Sequence, residues 1–246
     1  MSEVSTWLVT GHVLAVLQRL VTSRGIGFEL VRQLVSNPNN IVVATCREPS
    51  RASKLHALKD SAKEQLYIVA LDVSSEASIR GSVAEVSRIL GDRGLDYLYN
   101  NAAVTEGDDS AFNFSYDGLL DTLRANVAGP ALLGMAYLPL LEQGRRKVIV
   151  NMTSGLASIG LDFGAKNATY SISKTALNML AYKQAKTQPD LIAYVVDPGW
   201  VKTDMGGPNA MMEPEESVAR LIKLATTATT KSSGKFFRHD GEEIPW

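Results

Sequence analysis

The chain has 246 residues, 45% of them hydrophobic and 21% charged, with a formal net charge of -1. That balance suits one soluble globular domain with a continuous core and gives no reason to expect nucleic acid or an anionic membrane as partner. A single cysteine, Cys46, rules out an intrachain disulfide and a cysteine-based metal cluster. It points to a reducing, cytoplasmic setting. His12, His56 and His239 lack ligand spacing, so no metal site is expected.

The first apolar run, STWLVT, reads as a buried strand and ends at Thr10 and Gly11. A block of ten residues follows, HVLAVLQRLV, residues 12–21. The apolar stretch containing it is shorter than the roughly 20 residues a membrane span needs and is interrupted by His12, Gln18 and Arg19. Lifting the block out joins VTG to TSRGIG, a strand end running through glycines into a helix. Gly25 and Gly27 then open that helix, where backbone amides can approach a pyrophosphate. Three readings of the block stand side by side. It loops outward while Thr22 and Ser23 close the turn, or it occludes the site, or it is non-coding sequence carried into translation.

Further strands are predicted at IVVATC from Ile41, LYIVAL from Leu66, LDYLYN from Leu95, KVIVNM from Lys147 and LIAYVV from Leu191. Between them lie helical spacings, as in SEASIRGSVAEVSRIL, where Ile79, Val83, Val86 and Leu90 share a face. Alternating strands and helices predict an α/β fold with a parallel sheet covered on both sides, ligands lying beyond the carboxyl ends of the strands. Residues 116–143 read as one helix bent near Pro139 and stopped by Gly144, its face either core or a subunit contact compatible with a homodimer or homotetramer. Pro214 and two glutamates mark the start of a late helix.

The segment YSISK places Tyr170 and Lys174 four apart on a predicted helix, hence on one face. A phenol normally titrates near pH 10, and an ammonium beside it favours the phenolate, so Tyr170 is expected to exchange a proton with a substrate oxygen. Ser154 follows a strand end, where its hydroxyl could meet the same oxygen.

Taken together, the glycine loop, NNAA at residues 100–103, Asn126, NMTS, YSISK and DPGWVKTDMGG resemble the short-chain dehydrogenase/reductase family in order and spacing over nearly the whole chain. The ending DGEEIPW is similar to the branch of C-factor-like proteins and small carbonyl reductases. The resemblance implies a Rossmann-type, doubly wound, three-layer single domain spanning residues 1–246, with the block as an unusual insertion in its phosphate loop. It implies hydride transfer between a nicotinamide and a small-molecule carbonyl or alcohol. Tyr170 would be the acid or base, Lys174 its partner and a ribose ligand, Ser154 the carbonyl contact, and Asn126 the support of a proton relay. Gly11, Thr22, Ser23, Arg24, Gly25, Ile26 and Gly27 would form the phosphate loop, and Asp72 and Val73 the adenine contact. Asn101, Ala102 and Ala103 would lie beside the adenosine ribose, and Pro198, Gly199, Val201 and Thr203 beside the nicotinamide. Arg47 occupies the end of the second strand, where an acidic residue would chelate the ribose hydroxyls of NAD. With Arg24 it favours NADPH over NAD, adjacent Glu48 working against it.

Two departures from the family pattern stand out. Sixteen positions separate Ser154 from Tyr170, a longer interval than usual, which leaves Thr153 and Ser158 as other hydroxyl candidates. The second departure is the block. The leading expectation is an NADPH-dependent reductase of uncharged, partly apolar ketones or aldehydes, with residues 206–212 as a mobile pocket wall. The other is a catalytically silent dinucleotide-fold protein with a signalling or binding role.

Overall fold

The computed structural model describes residues 3–11 and 25–246. Thr22, Ser23, Arg24 and the block at 12–21 therefore lie outside the described residues. Seven parallel strands form one sheet in the order β3-β2-β1-β4-β5-β6-β7. They are β1 (Ser5–Thr10), β2 (Asn40–Cys46), β3 (Leu66–Ala70), β4 (Tyr97–Asn100), β5 (Val148–Met152), β6 (Ile192–Asp197) and β7 (Phe236–Arg238). The helices are α1 (Gly25–Val35), α2 (Ser53–Ala62), α3 (Glu76–Leu90), α4 (Tyr116–Leu123), α5 (Gly129–Gln143), α6 (Ala168–Thr187) and α7 (Pro214–Thr227). The strand order reverses between β1 and β4, which opens a crevice beyond their carboxyl ends.

Alternation along β1 divides the core. Trp7 and Val9 pack with Leu30 and Leu34 of α1 and Leu221 of α7, while Leu8 faces Ile79 and Val86 of α3 and Leu133 and Tyr137 of α5. Each fully buried side chain of this size contributes roughly 1.5–3 kcal/mol, so both faces are needed to hold the sheet. At the far edge of β1, Trp7 stacks on Tyr97 with ring centroids 3.7 Å apart. Beside it the buried Asp96 carboxylate accepts from the amides of Thr6, Arg145 and Arg146 at 2.8–3.0 Å. One side chain thereby joins β1, β4 and the turn into β5.

Helix α3 begins where Ser75 accepts the Ser78 amide and ends at Gly91, whose φ of +58° favours glycine. Two predicted features need correction. The irregularity in residues 116–143 is a π-turn at Arg124–Ala128, while α5 runs through Pro139 as a single helix. Gly144 ends the helix by donating its amide to the carbonyls of Leu140 and Leu141. Further, Phe236–Arg238 adds a seventh, edge strand, and α2 fills the β2–β3 crossover.

Candidate active site

At the head of β1 the Thr10 hydroxyl acts as a junction. It accepts from the amides of Asn101 and Ala102, each at 3.0 Å, and donates to the Tyr99 carbonyl. The Asn101 side-chain amide donates to the Thr10 carbonyl at 2.9 Å. These bonds turn the chain after β4 across the end of β1 and bury Asn101, Ala102 and Ala103. Gly27 closes on the same junction: a Cβ there would lie 2.5 Å from Asn101 Nδ2. Gly27→Ala must push the Asn101 amide off its acceptor. We expect this variant to lose about 1–3 kcal/mol of stability, read as a drop of several degrees in Tm. An unchanged Tm would mean that the junction yields freely.

Gly25 opens α1 with φ +70°, and a Cβ on it would reach Thr203 Cγ2 at 3.3 Å, so the glycine loop and the segment after β6 abut. Gly11 lies at the end of β1, and Ile26 packs against the core beneath α1. Arg47 is exposed immediately past β2, and Glu48 beside it pairs with Arg51 at 3.0 Å. Asp72 accepts the Ser74 amide at 2.9 Å, and the Val73 carbonyl lies 2.6 Å from where a Cβ on Gly129 would stand. Small residues and bent backbone thus border the crevice, with Arg47 exposed beyond the end of β2.

The second half of the site is built around α6. Lys174 is 1% exposed and donates from Nζ to the carbonyl of Met152, the last residue of β5, at 2.8 Å. Its Nζ lies 5.5 Å from the centre of the Tyr170 ring. Lys174 is thus fixed to the strand end that presents Ser154 two residues later. Ser154 Oγ accepts the Leu156 amide at 3.2 Å, which leaves its hydrogen free to donate. The other two hydroxyl candidates are committed elsewhere. Thr153 donates to Asn178 Oδ1 at 2.7 Å, and Ser158 donates to the Pro245 carbonyl at 2.6 Å.

Asn126 sits in the π-turn, fully buried, and its side chain clamps Val104 by accepting its amide and donating to its carbonyl. It also donates to Ser173, whose hydroxyl donates to the Tyr170 carbonyl at 2.7 Å. Ser173 was not foreseen; its only sequence signal is its place inside YSISK.

The electrostatics reverse one expectation. Burial, with the Asp197 carboxylate adding to it, holds the Tyr170 phenol above its ordinary range, and burial pushes the Lys174 ammonium down to about 7. Desolvation outweighs the attraction that the i, i+4 spacing suggested. The phenol is thus kept as a proton donor at neutral pH.

Pro198 and Gly199 turn the chain out of β6, and Gly199 has φ +81°. Val201 is buried and bridges Met212, and Thr203 Oγ1 accepts the Gly206 amide at 3.0 Å. The loop beyond is tied at its base. Trp200 Nε1 donates to the Gly206 carbonyl at 2.7 Å, and a Cβ on Gly206 would fall 2.0 Å from the Val201 carbonyl. Gly206 therefore serves close packing, where hinge freedom was expected. One exposed apolar side chain, Phe163, brings its ring edge to Gly155, next to Ser154.

Residues 20–214 match the model of the short chain dehydrogenase family. The chain belongs to that family. The matched stretch of this short-chain dehydrogenase begins within the block, leaving β1 and Gly11 before it. Along its whole length it superposes on the carbonyl reductase Sniffer of Drosophila melanogaster (TM-score 0.90, 28% identity, all of both chains). The same holds for an NADPH-bound carbonyl reductase from chicken fatty liver (TM-score 0.88, 32% identity, all of both chains). The C-signal protein of Myxococcus xanthus is 32% identical over 154 residues, 62% of this chain and 93% of its own. The chain is accordingly an oxidoreductase-family enzyme of the small carbonyl reductase kind, with the seven-stranded Rossmann-type sheet described above.

Proposed function

We propose that this short-chain dehydrogenase reduces uncharged, at least partly apolar ketones or aldehydes to alcohols with NADPH. The observation that carries the reading is the buried Lys174, fixed by Met152 at the strand end that presents Ser154 and set beside the Tyr170 ring. The glycines at the crevice suit a dinucleotide, since the φ of +70° at Gly25 and the closeness of Asn101 to Gly27 both disfavour a side chain there. Asn101 and Asp72 would hold the adenosine half, Arg47 a 2′-phosphate, and Thr203 with Gly199 the nicotinamide side. The bound cofactor supplies hydride to the carbonyl carbon.

The chain's own groups handle the oxygen. As the carbon–oxygen double bond becomes single, the Ser154 hydroxyl donates a hydrogen bond to the oxygen, and the Tyr170 phenol delivers the proton that completes the alcohol. Lys174 stands beside the Tyr170 ring, its ammonium less favoured than usual because it is buried. Asn126 fixes the turn bearing Tyr170 through Ser173. The exposed Phe163 ring beside Gly155 favours a substrate with apolar surface.

A cytoplasmic setting is part of this reading, as the single cysteine suggests; among the described residues no helix is long and apolar enough to cross a membrane. The second reading, a silent binding or signalling protein, draws on the similarity to C-signal and on the block at 12–21. NADPH fluorescence titration of the chain and of a form lacking residues 12–21, followed by NADPH oxidation with a panel of carbonyls, separates the two. Micromolar binding with turnover supports the reductase. Weak binding by both forms, without turnover, sinks it. Recovery only in the shortened form assigns the fault to the block.

A further inference from the structure

Asp197 is the last residue of β6, and beyond its field on Tyr170 no role has been given to it above. Its carboxylate lies between the two turns that frame the site. Oδ1 accepts the Gly199 amide at 3.2 Å, and Oδ2 is 3.3 Å from where a Cβ on Gly155 would stand, next to Ser154. Two residues earlier on the same strand face, Val195 packs on Ala181 of α6, so Asp197 is directed toward α6, the helix that carries Tyr170 and Lys174. Its influence on Tyr170, described above, agrees with that placement.

No cation compensates it at ion-pair distance among the described residues. Lys174 spends its Nζ on the Met152 carbonyl. Arg238, opposite Asp197 in the sheet, pairs with Asp240 at 3.0 Å and with Glu242. His239 is buried behind Gly199, its Nδ1 faced by Arg220 at 3.4 Å, and burial favours its neutral form. Burial raises the Asp197 carboxyl above its ordinary range, and the amides of Gly199 and Gly155 work against that by favouring the carboxylate.

We propose that Asp197 sets charge selection at the substrate opening, an uncompensated carboxylate between the Ser154 and Gly199 turns that turns away carbonyl compounds bearing a carboxylate and admits neutral ones. The inference rests on the reductase reading and narrows its substrate class. Specificity of this kind comes from a repulsive element built against the wrong partner, and repulsion grows as water is excluded from the site.

The test uses a pair of aldehydes that differ in charge, 4-formylbenzoate and its methyl ester. For the native chain with NADPH, kcat/KM should favour the ester by about tenfold or more. In Asp197→Asn, whose amide oxygen can still accept the Gly199 amide, the acid-to-ester ratio of kcat/KM should rise until the two aldehydes lie within about threefold of each other, whatever the change common to both. Equal use of both aldehydes by the native chain overturns the proposal, as does an unchanged preference in Asp197→Asn. Asp197→Ser serves if the Asn form does not fold. If the native chain turns over neither aldehyde, the reductase reading fails separately, and calorimetric binding of the same pair still decides: ester-selective binding lost in Asp197→Asn sustains charge selection, and equal binding overturns it.

Discussion

Lys174→Met is expected to make the protein more stable and inactive at once. A lysine 1% exposed, with its pKa pushed down from 10.5 to about 7, binds fewer protons folded than unfolded between those values. Stability therefore rises with pH through that window, and below about pH 7 the fold bears the whole cost of a buried ammonium. Methionine fills a similar volume without charge. Its one loss is the donor to the Met152 carbonyl, about 1–3 kcal/mol for an acceptor left unsatisfied. The larger desolvation term wins, giving a net gain of about 2 kcal/mol and a Tm several degrees higher at pH 6. The gain should shrink toward pH 10. Melting curves of both proteins at pH 6, 8 and 10 read the sign directly; a lower Tm at pH 6 would show that Lys174 is stabilising where it lies. Loss of reduction in the same variant would place the stability cost at a functional position.

Tyr170→Phe should lower kcat for carbonyl reduction by about 10²–10⁴ while leaving NADPH affinity and Tm near the native values, because only the proton donor is removed. Its companions sort the three hydroxyls. Ser154→Ala should cost about 10²-fold in kcat, since that hydroxyl is free to donate to a substrate. Ser158→Ala should leave kcat within about threefold, its hydroxyl being spent on the Pro245 carbonyl. Stopped-flow single turnovers keep chemistry apart from product release. A Tyr170→Phe form within threefold of native would remove the phenol from the mechanism.

The strands legible in the sequence were those with four or more apolar or β-branched residues, because burial on both sides of a parallel sheet demands such runs. β7 escaped notice because an edge strand of three residues, Phe236–Arg238, carries no periodicity to read. α2 escaped because only Leu55 and Ala62 are buried, too few for a stripe. The Tyr170 and Lys174 pair was legible from spacing, but the direction of their titration was not. Desolvation depends on what surrounds a helix face, and residues distant in sequence supply that. Asp197 was visible as the first letter of DPGW, yet its isolation from cations follows only from how Arg238, His239 and Lys174 are spent. The phosphate loop was read as two halves, and Thr22, Ser23, Arg24 and the block between them lie outside the described residues.

The π-turn at Arg124–Ala128 has a consequence for how one long rod serves two neighbours. Each widened turn adds about one residue, roughly 100° of rotation, to the helical phase. The rod before the turn packs on α6, beside the proton-transfer residues, and the rod after it packs on α3, in the interior of the sheet's cover. A single surplus residue thus acts as a phase shifter: it lets Asn126 leave the regular ladder to grip Val104 and Ser173, while the apolar stripe beyond it rotates onto a different partner.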